Sequence, residues 1–257
     1  MTALAGQRLI VTGASSGLGA HIVRHLVGLG ANVLGAARRV DRLEALAAEL
    51  AAGPGRLVTV ATDVTVDAEV RAMVDAAVVA FGGIDLLVND AGGEVQGPIE
   101  SLPDEAFEQM LATNVRSVFL CTRAALPELK RSRGSVINLG STAVSRPPRG
   151  RFGYVACKGA VEAMSRALAL DLGRYGVRVN VIRPGIIPSE LRGLSEADER
   201  ARFEAGGPFP KQALKEVGHG LDVAQAVAWL AGDGGRWVTG ATIDIDGGYA
   251  LGVADPA

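Results

Sequence analysis

What most restricts the fold of this chain is a succession of short apolar runs, at residues 8–12, 32–35, 57–61, 84–88, 134–139, 177–182 and 241–245, alternating with stretches of helical periodicity. A strand with one wet face alternates apolar and polar residues, whereas a strand that is apolar throughout needs cover on both faces. Parallel neighbours also need crossovers of a dozen or more residues, which the intervening stretches provide. The pattern therefore predicts an α/β fold, a doubly wound parallel sheet of about seven strands with helices on both faces.

The helices follow from spacing. Leu18, Ile22, Leu26 and Leu29 mark the first, and residues 41–51, 67–81 and 222–231 mark three more. Ser101-Leu-Pro-Asp104 reads as a helix start with Ser101 as cap, opening a long helix that contains Asn114 and runs to about Arg131. At 257 residues and 48% hydrophobic the chain can bury one large core, and no linker or repeat divides it. Residues 1–257 are expected to form a single domain. The polar segment 189–215 interrupts the strand–helix rhythm and is the expected substrate lid.

Chemistry concentrates where the strands end. Thr12-Gly-Ala-Ser-Ser-Gly17-Leu-Gly19 joins the first strand to the first helix, and such a turn lets backbone approach a phosphate closely while free helix N–H groups point at it. Later strands end in Asn89-Asp-Ala-Gly92, Gly140-Ser141 and Pro184-Gly185, at the edge where open parallel sheets bind ligands. Tyr154 and Lys158 lie one helical turn apart on one face. A cation near a phenol favours the phenolate, so this spacing predicts a Tyr154 pKa lowered by Lys158.

Other signals are bland. Net charge is −2 with acids and bases interspersed, so no nucleic-acid footprint or membrane-surface patch is expected and the partners are small molecules. Cys121 and Cys157 stand far apart without metal-ligand spacing, consistent with buried thiols in a reduced, cytoplasmic compartment. The first residues carry no signal-peptide pattern and no apolar run reaches 18 residues, so a soluble, unprocessed chain is expected. His21 and His25 have no third ligand near them in sequence and are read as a solvated helix face; His219 is read as a loop residue, and no metal site is expected. The run Arg146-Pro-Pro-Arg-Gly-Arg151 is read as a solvated turn, although its position between Ser141 and Tyr154 would let it attract an acidic substrate.

Taken together, the Thr12–Gly19 turn, Asn89-Asp-Ala-Gly92, Asn114, Ser141, Tyr154-Val-Ala-Cys-Lys158 and Pro184-Gly185 resemble the short-chain dehydrogenases/reductases, over nearly the whole chain. Two positions depart from that family's pattern: Asp90 replaces an Asn, and Ser189 stands where a Thr is common. The resemblance implies that residues 1–257 form a single Rossmann-type domain, both dinucleotide-binding and catalytic, of an NAD(P)-dependent oxidoreductase that moves hydride between nicotinamide and a carbonyl or secondary alcohol. Tyr154 would give and take the proton, Ser141 would hold the reacting oxygen, Lys158 would lower the phenol pKa and hold the ribose, and Asn114 would hold a water leading to solvent. Gly13, Ser15, Ser16, Gly17, Leu18, Gly19, Asn89, Ala91, Gly92, Pro184, Gly185 and Ser189 would form the cofactor wall, with Asp63 and Val64 at the adenine and Ile187 at the carboxamide. The family also implies a homotetramer or homodimer, and the helical stretches 115–129 and 161–172 are apolar enough to bury faces.

Cofactor choice turns on the end of the second strand. A carboxylate there binds the ribose of NAD and repels the 2′-phosphate of NADP. This chain has Ala37 followed by Arg38 and Arg39, which favours NADP(H) and leaves NAD(H) possible. A non-catalytic dinucleotide sensor would be expected to lack Tyr154 or Lys158, and an epimerase or dehydratase of the same fold to carry a different glycine turn and a longer substrate region. The substrate itself depends on loops 93–98, 142–153 and 189–215 and stays open among sugars, steroids, thioesters and small ketones.

Overall fold

The computed structural model describes residues 4–189, 195–205, 212–214 and 216–252. Strands β1 (Arg8–Thr12), β2 (Asn32–Ala37), β3 (Arg56–Ala61), β4 (Leu86–Asn89), β5 (Ser135–Leu139), β6 (Arg178–Pro184) and β7 (Thr242–Ile245) pair in the order β3-β2-β1-β4-β5-β6-β7, every pair parallel. Helices α1 (Gly17–Gly28), α2 (Val40–Leu50), α3 (Asp67–Phe81), α4 (Asp104–Leu111), α5 (Ser117–Ser132), α6 (Phe152–Gly173), α7 (Glu196–Glu204) and α8 (Gly220–Ala231) complete the elements used below. The doubly wound sheet is thus observed, with strand ends moved by one or two residues from those expected.

Successive strand residues explain the continuous apolar runs. Leu9, Val11, Val33, Leu86, Val88 and Ile137 pack with Ile22, Val23 and Leu26 of α1 and Val223 and Val227 of α8. Their neighbours Ile10, Leu34, Leu87 and Val136 face the other way, onto Val70 and Met73 of α3 and Leu120 and Leu129 of α5. Each fully buried aliphatic side chain contributes about 1.5–3 kcal/mol, so a polar residue on either face would cost comparably.

Three local expectations are corrected. The helix after Ser101 begins at Asp104 with Pro103 as its cap residue, because a residue preceding proline is pushed out of helical conformation and Leu102 cannot enter the first turn. The long helix to Arg131 is interrupted by a π turn at Ala112–Arg116. There the Asn114 amide donates to the Met110 carbonyl at 2.9 Å, taking an acceptor four residues back that the regular ladder would use. His21 is no solvated side chain: its Nε2 lies 3.0 Å from the Glu196 carboxylate, and its ring meets His219 edge-on at 4.8 Å between centroids. A Cβ on Gly220 would collide with that imidazole at 2.3 Å, so glycine at the start of α8 makes room for it. His219 caps α8, accepting from the Leu221 N–H at 3.1 Å. Cys121 and Cys157 are buried and unbridged, as expected.

Helix α6 is fixed to the sheet by a buried polar chain. The Asn89 amide donates to Asn138 Oδ1 at 2.8 Å, the Asn138 amide donates to Ser165 Oγ at 2.8 Å, and Ser165 donates to the Val161 carbonyl at 2.6 Å. Inside a protein each link raises the cost of leaving the next one unmade. Asn138→Leu keeps the branched shape but leaves the Asn89 amide only its long contact to Thr122 at 3.4 Å, and should cost about 2 kcal/mol. At about 2–4 °C per kcal/mol for a chain of this size, the melting midpoint should fall by about 4–8 °C. An unchanged midpoint by circular dichroism would show that the chain of bonds does not stabilise the fold.

Candidate active site

The crossovers leave β1 and β4 in opposite directions, so a crevice opens at their carboxyl ends. Thr12 braces its floor, its Oγ1 accepting from the Asp90 and Ala91 N–H groups at 3.1 and 3.2 Å. The crevice is a cleft of about 540 Å³ that runs from the glycine turn to Tyr249.

At one end the backbone itself is the binding surface. Gly13 (φ 75°) and Gly17 (φ 51°) adopt left-handed conformations that side chains disfavour. A Cβ on Gly13 would also stand 2.9 Å from the Ala91 nitrogen. The first turn of α1 therefore opens into the cleft with N–H groups that lack an intrahelical acceptor and the positive end of the helix dipole. Ala37 ends β2 with a small buried side chain, and Arg38 and Arg39 follow on the cleft wall. Arg39 reaches back over the turn, its Nε donating to Ser15 Oγ at 3.2 Å and its Nη2 to Ser16 Oγ. Asp63 closes this end. Its hydrogen bond from the Thr65 hydroxyl at 2.7 Å, outweighing burial, holds its carboxyl below the ordinary carboxylate range, and the Arg38 charge adds to this.

The other end gathers the reactive side chains. Tyr154 and Lys158 of α6 are buried, each 6% exposed, and Asn114 is 1% exposed. Ser141, just past the end of β5, accepts from the Ala143 N–H at 3.1 Å, and its hydroxyl is among the influences that lower the Tyr154 phenol. Lys158 Nζ donates to the Leu139 carbonyl at 2.8 Å. Asn114 is clamped by the Gly93 and Met110 carbonyls, each 2.9 Å from its amide. A Cβ on Gly92 would approach Asn114 Oδ1 to 2.7 Å and Lys158 Nζ to 3.7 Å, so those two polar atoms converge on one glycine.

The electrostatics correct one expectation. Burial pushes the Tyr154 phenol up to about 12, and the cation that most opposes this is Arg151, with Lys158 absent from the leading influences. Lys158 is itself depressed by burial, countered by the carboxylate of Asp90. Asp90 is pushed up to about 7 by burial, against the pull of Lys158 and a hydrogen bond from the Gly19 N–H. Its Oδ2 packs against Gly13 and Gly19, so the departure from Asn puts a titratable group beneath the glycine turn.

Of the residues singled out from sequence, Gly13, Ser15, Ser16, Gly17, Leu18, Arg38, Arg39, Asp63, Val64, Ala91, Gly92, Asn114, Ser141, Tyr154, Lys158, Pro184, Gly185, Ile187 and Ser189 line this one cleft. Gly19 and Asn89 do not. Gly19 packs on the Gly13 carbonyl, and Asn89 is buried behind the wall in the polar chain of α6. The 189–215 segment lies partly outside the described residues; within them, Ser189 donates its N–H to Glu199 of α7 at 2.6 Å, and Phe203 of α7 reaches the cleft. The arginine run is not a solvated turn. Arg146 donates to the Tyr249 and Gly252 carbonyls at 2.8 and 3.0 Å, and Arg151 joins the cleft wall in a double hydrogen bond to Glu94. Glu94 carried no sequence signal, because its partner lies 57 residues away.

Comparison with known proteins agrees with this geometry. A family model described as enoyl-(acyl carrier protein) reductase matches residues 13–250. The chain is 38% identical to L-fucose dehydrogenase of Bos taurus over 98% of this chain and 92% of that one. It is 35% identical to 2,5-dichloro-2,5-cyclohexadiene-1,4-diol dehydrogenase LinX of Sphingobium indicum, over 97% and 98%. Among solved structures, the Pseudomonas aeruginosa RhlG/NADP active-site complex superposes with a TM-score of 0.89 at 33% identity, covering 97% of this chain and 98% of that one. A blue fluorescent protein from a metagenomic library, in complex with NADPH, gives 0.85 at 35% identity, covering 96% and 99%. The chain belongs to the short-chain dehydrogenase/reductase family. It is accordingly a nicotinamide-dependent oxidoreductase acting between alcohol and carbonyl groups. No helix of the described residues is long and apolar enough to cross a membrane.

The Arg151 charge is the largest influence pulling the phenol down, so its removal has a definite sign. Arg151→Gln leaves the Glu94 carboxylate in place, and Tyr154 should then ionise at still higher pH. Ultraviolet difference titration, with Tyr154→Phe as the blank, measures this; an unshifted or lowered midpoint would contradict the assignment.

Proposed function

We propose that the chain is an NADP(H)-preferring carbonyl reductase and secondary-alcohol dehydrogenase in which Tyr154 is the general acid and base. The observation that carries this reading is the convergence of Ser141, Tyr154, Lys158 and Asn114 at one end of a cleft whose other end is the glycine turn. The residues fit a dinucleotide phosphate: left-handed glycines admit its backbone contacts, the start of α1 favours its pyrophosphate, and Arg38 and Arg39 flank the strand end where Ala37 leaves room. The NADP(H) present in two of the structural relatives points the same way. When bound, the nicotinamide supplies or accepts the hydride.

The protein's own part is positional and protic. Tyr154 and Ser141 hydrogen-bond the substrate oxygen, and the buried phenol, protonated throughout the neutral range, gives its proton as that oxygen gains charge in reduction. In oxidation the phenol first passes its proton out through the water held at Asn114, and the phenolate then takes the proton of the alcohol. Lys158 holds the ribose and lends positive charge to the site, and Asn114, fixed in its π turn, holds the water that renews the proton. The segment 189–215 acts as a substrate lid, and of its described residues Ser189 and Phe203 reach the cleft.

Tyr154→Phe should leave cofactor affinity nearly intact while kcat falls by about 10²–10⁴, the usual contribution of a general acid; retention of a tenth of the activity would rule out the proton-donor role. A charge-assisted phosphate contact is worth about 1.5–3 kcal/mol, or about 10- to 100-fold in affinity. Arg38→Ala should weaken NADPH binding by that factor with NADH little changed, and Ala37→Asp should reverse the preference. Fluorescence titration of both cofactors is the direct check, and tighter binding of NADH to the unaltered chain would overturn the NADP assignment.

A further inference from the structure

Arg151 lines the cleft and is backed by the covered carboxylate of Glu94, yet the proton chemistry of Tyr154 makes no use of it as a binding group. Arg151 follows the loop that leads into α6, and Glu94 belongs to the loop after β4. The two loops are also tied by the Gly97 N–H donating to the Gly150 carbonyl at 2.8 Å, with Gly150 in a left-handed conformation (φ 72°). The Glu94 side chain is 0% exposed and Arg151 16%. Arg151 spends Nε on one carboxylate oxygen and Nη2 on the other, the latter at 2.7 Å. Its Cζ lies 4.9 Å from the Tyr154 ring centroid. Among the described residues, no hydrogen-bond partner takes its Nη1, and the residue lines the cleft. A guanidinium held by its far edge and packed on the catalytic ring thus offers its remaining N–H groups to whatever lies beside the phenol.

We infer that Arg151 is a binding residue for a second oxygen of the substrate, carried on the carbon next to the reacting carbon, and that the preferred substrates are uncharged vicinal diols and α-hydroxyketones. The charge balance selects this class. Glu94 already neutralises Arg151, so an anionic group would gain little net attraction and would lie close to a buried carboxylate. A neutral oxygen acceptor needs only the donor, which the ion pair holds in place without further ordering. A site that hydrogen-bonds a substrate oxygen also rejects an analogue lacking it, because the donor is then left dry. This inference rests on the oxidoreductase reading of the same site and adds its substrate class.

The test pairs cyclohexanol with cyclohexane-1,2-diol and with 2-hydroxycyclohexane-1-carboxylate, comparing kcat/KM for each with NADP⁺, and measures diol binding to the NADP⁺-loaded protein by calorimetry. The unaltered chain should favour the diol over the mono-alcohol by about 10- to 100-fold, as one charge-assisted hydrogen bond allows. Arg151→Met alone would strand a buried carboxylate, so the informative variant is Arg151→Met with Glu94→Gln, whose fold is checked by circular dichroism. In that double variant the diol-to-mono-alcohol ratio should fall to within a few-fold of one. Turnover without a diol preference, a ratio unchanged in the variant, or preference for the carboxylate would overturn the inference while leaving the oxidoreductase reading intact. Arg151-dependent diol binding without turnover would instead sustain the inference and remove that reading. Neither turnover nor binding of any of the three compounds would overturn both.

Discussion

The reactive end of the cleft depends on how α6 is held against β5. Lys158 donates to the Leu139 carbonyl at the last residue of β5, and two turns further along the helix Ser165 receives the amide of Asn138 from the same strand. These are polar bonds in a dry interior, where an unmade partner costs several times what a made one contributes. Helix α6 therefore has one depth and one rotation relative to the strand. Tyr154, one turn before Lys158, is carried to the strand's end, where Ser141 waits on the adjoining turn.

The two ends of the cleft solve different physical problems. At the glycine turn the need is close backbone approach to an anion, met by omission: glycines at 13 and 17, a small residue at 37, and hydroxyls held under Arg39. At the catalytic end the need is to keep a phenol protonated while surrounding it with charge. Burial alone drives its pKa up, and Arg151, Ser141 and the neighbouring carboxylates adjust the balance. Asp90 lies between the two, beneath the glycines yet within the electrostatic reach of Lys158, so the charge state of the floor and that of Lys158 are linked.

Local rules read well wherever one segment makes the feature by itself. The strand runs, the turn from Thr12 to Gly19 and the spacing of Tyr154 and Lys158 are of this kind, and the cleft contains nearly all the residues those rules singled out. The rules failed where two local preferences compete or where a distant partner decides. Pro103 moved a helix start through its effect on Leu102, Asn114 turned a regular helix into a π turn by competing for a carbonyl, and Arg151 found Glu94 across two loops. His21 looked solvated because Glu196 and Gly220 lie far along the chain.

Sequence by itself determined the α/β alternation, the doubly wound sheet and the identity of the chemical groups, because apolar periodicity and glycine conformation act over a few residues. Only the tertiary structure decided which charges surround Tyr154, which residues line the cleft and which merely back it, and that an arginine read as solvated is a half-buried neighbour of the phenol. The physical reason is that burial and Coulomb interactions depend on distance in space, and the chain's order says little about which side chains will share a dry pocket.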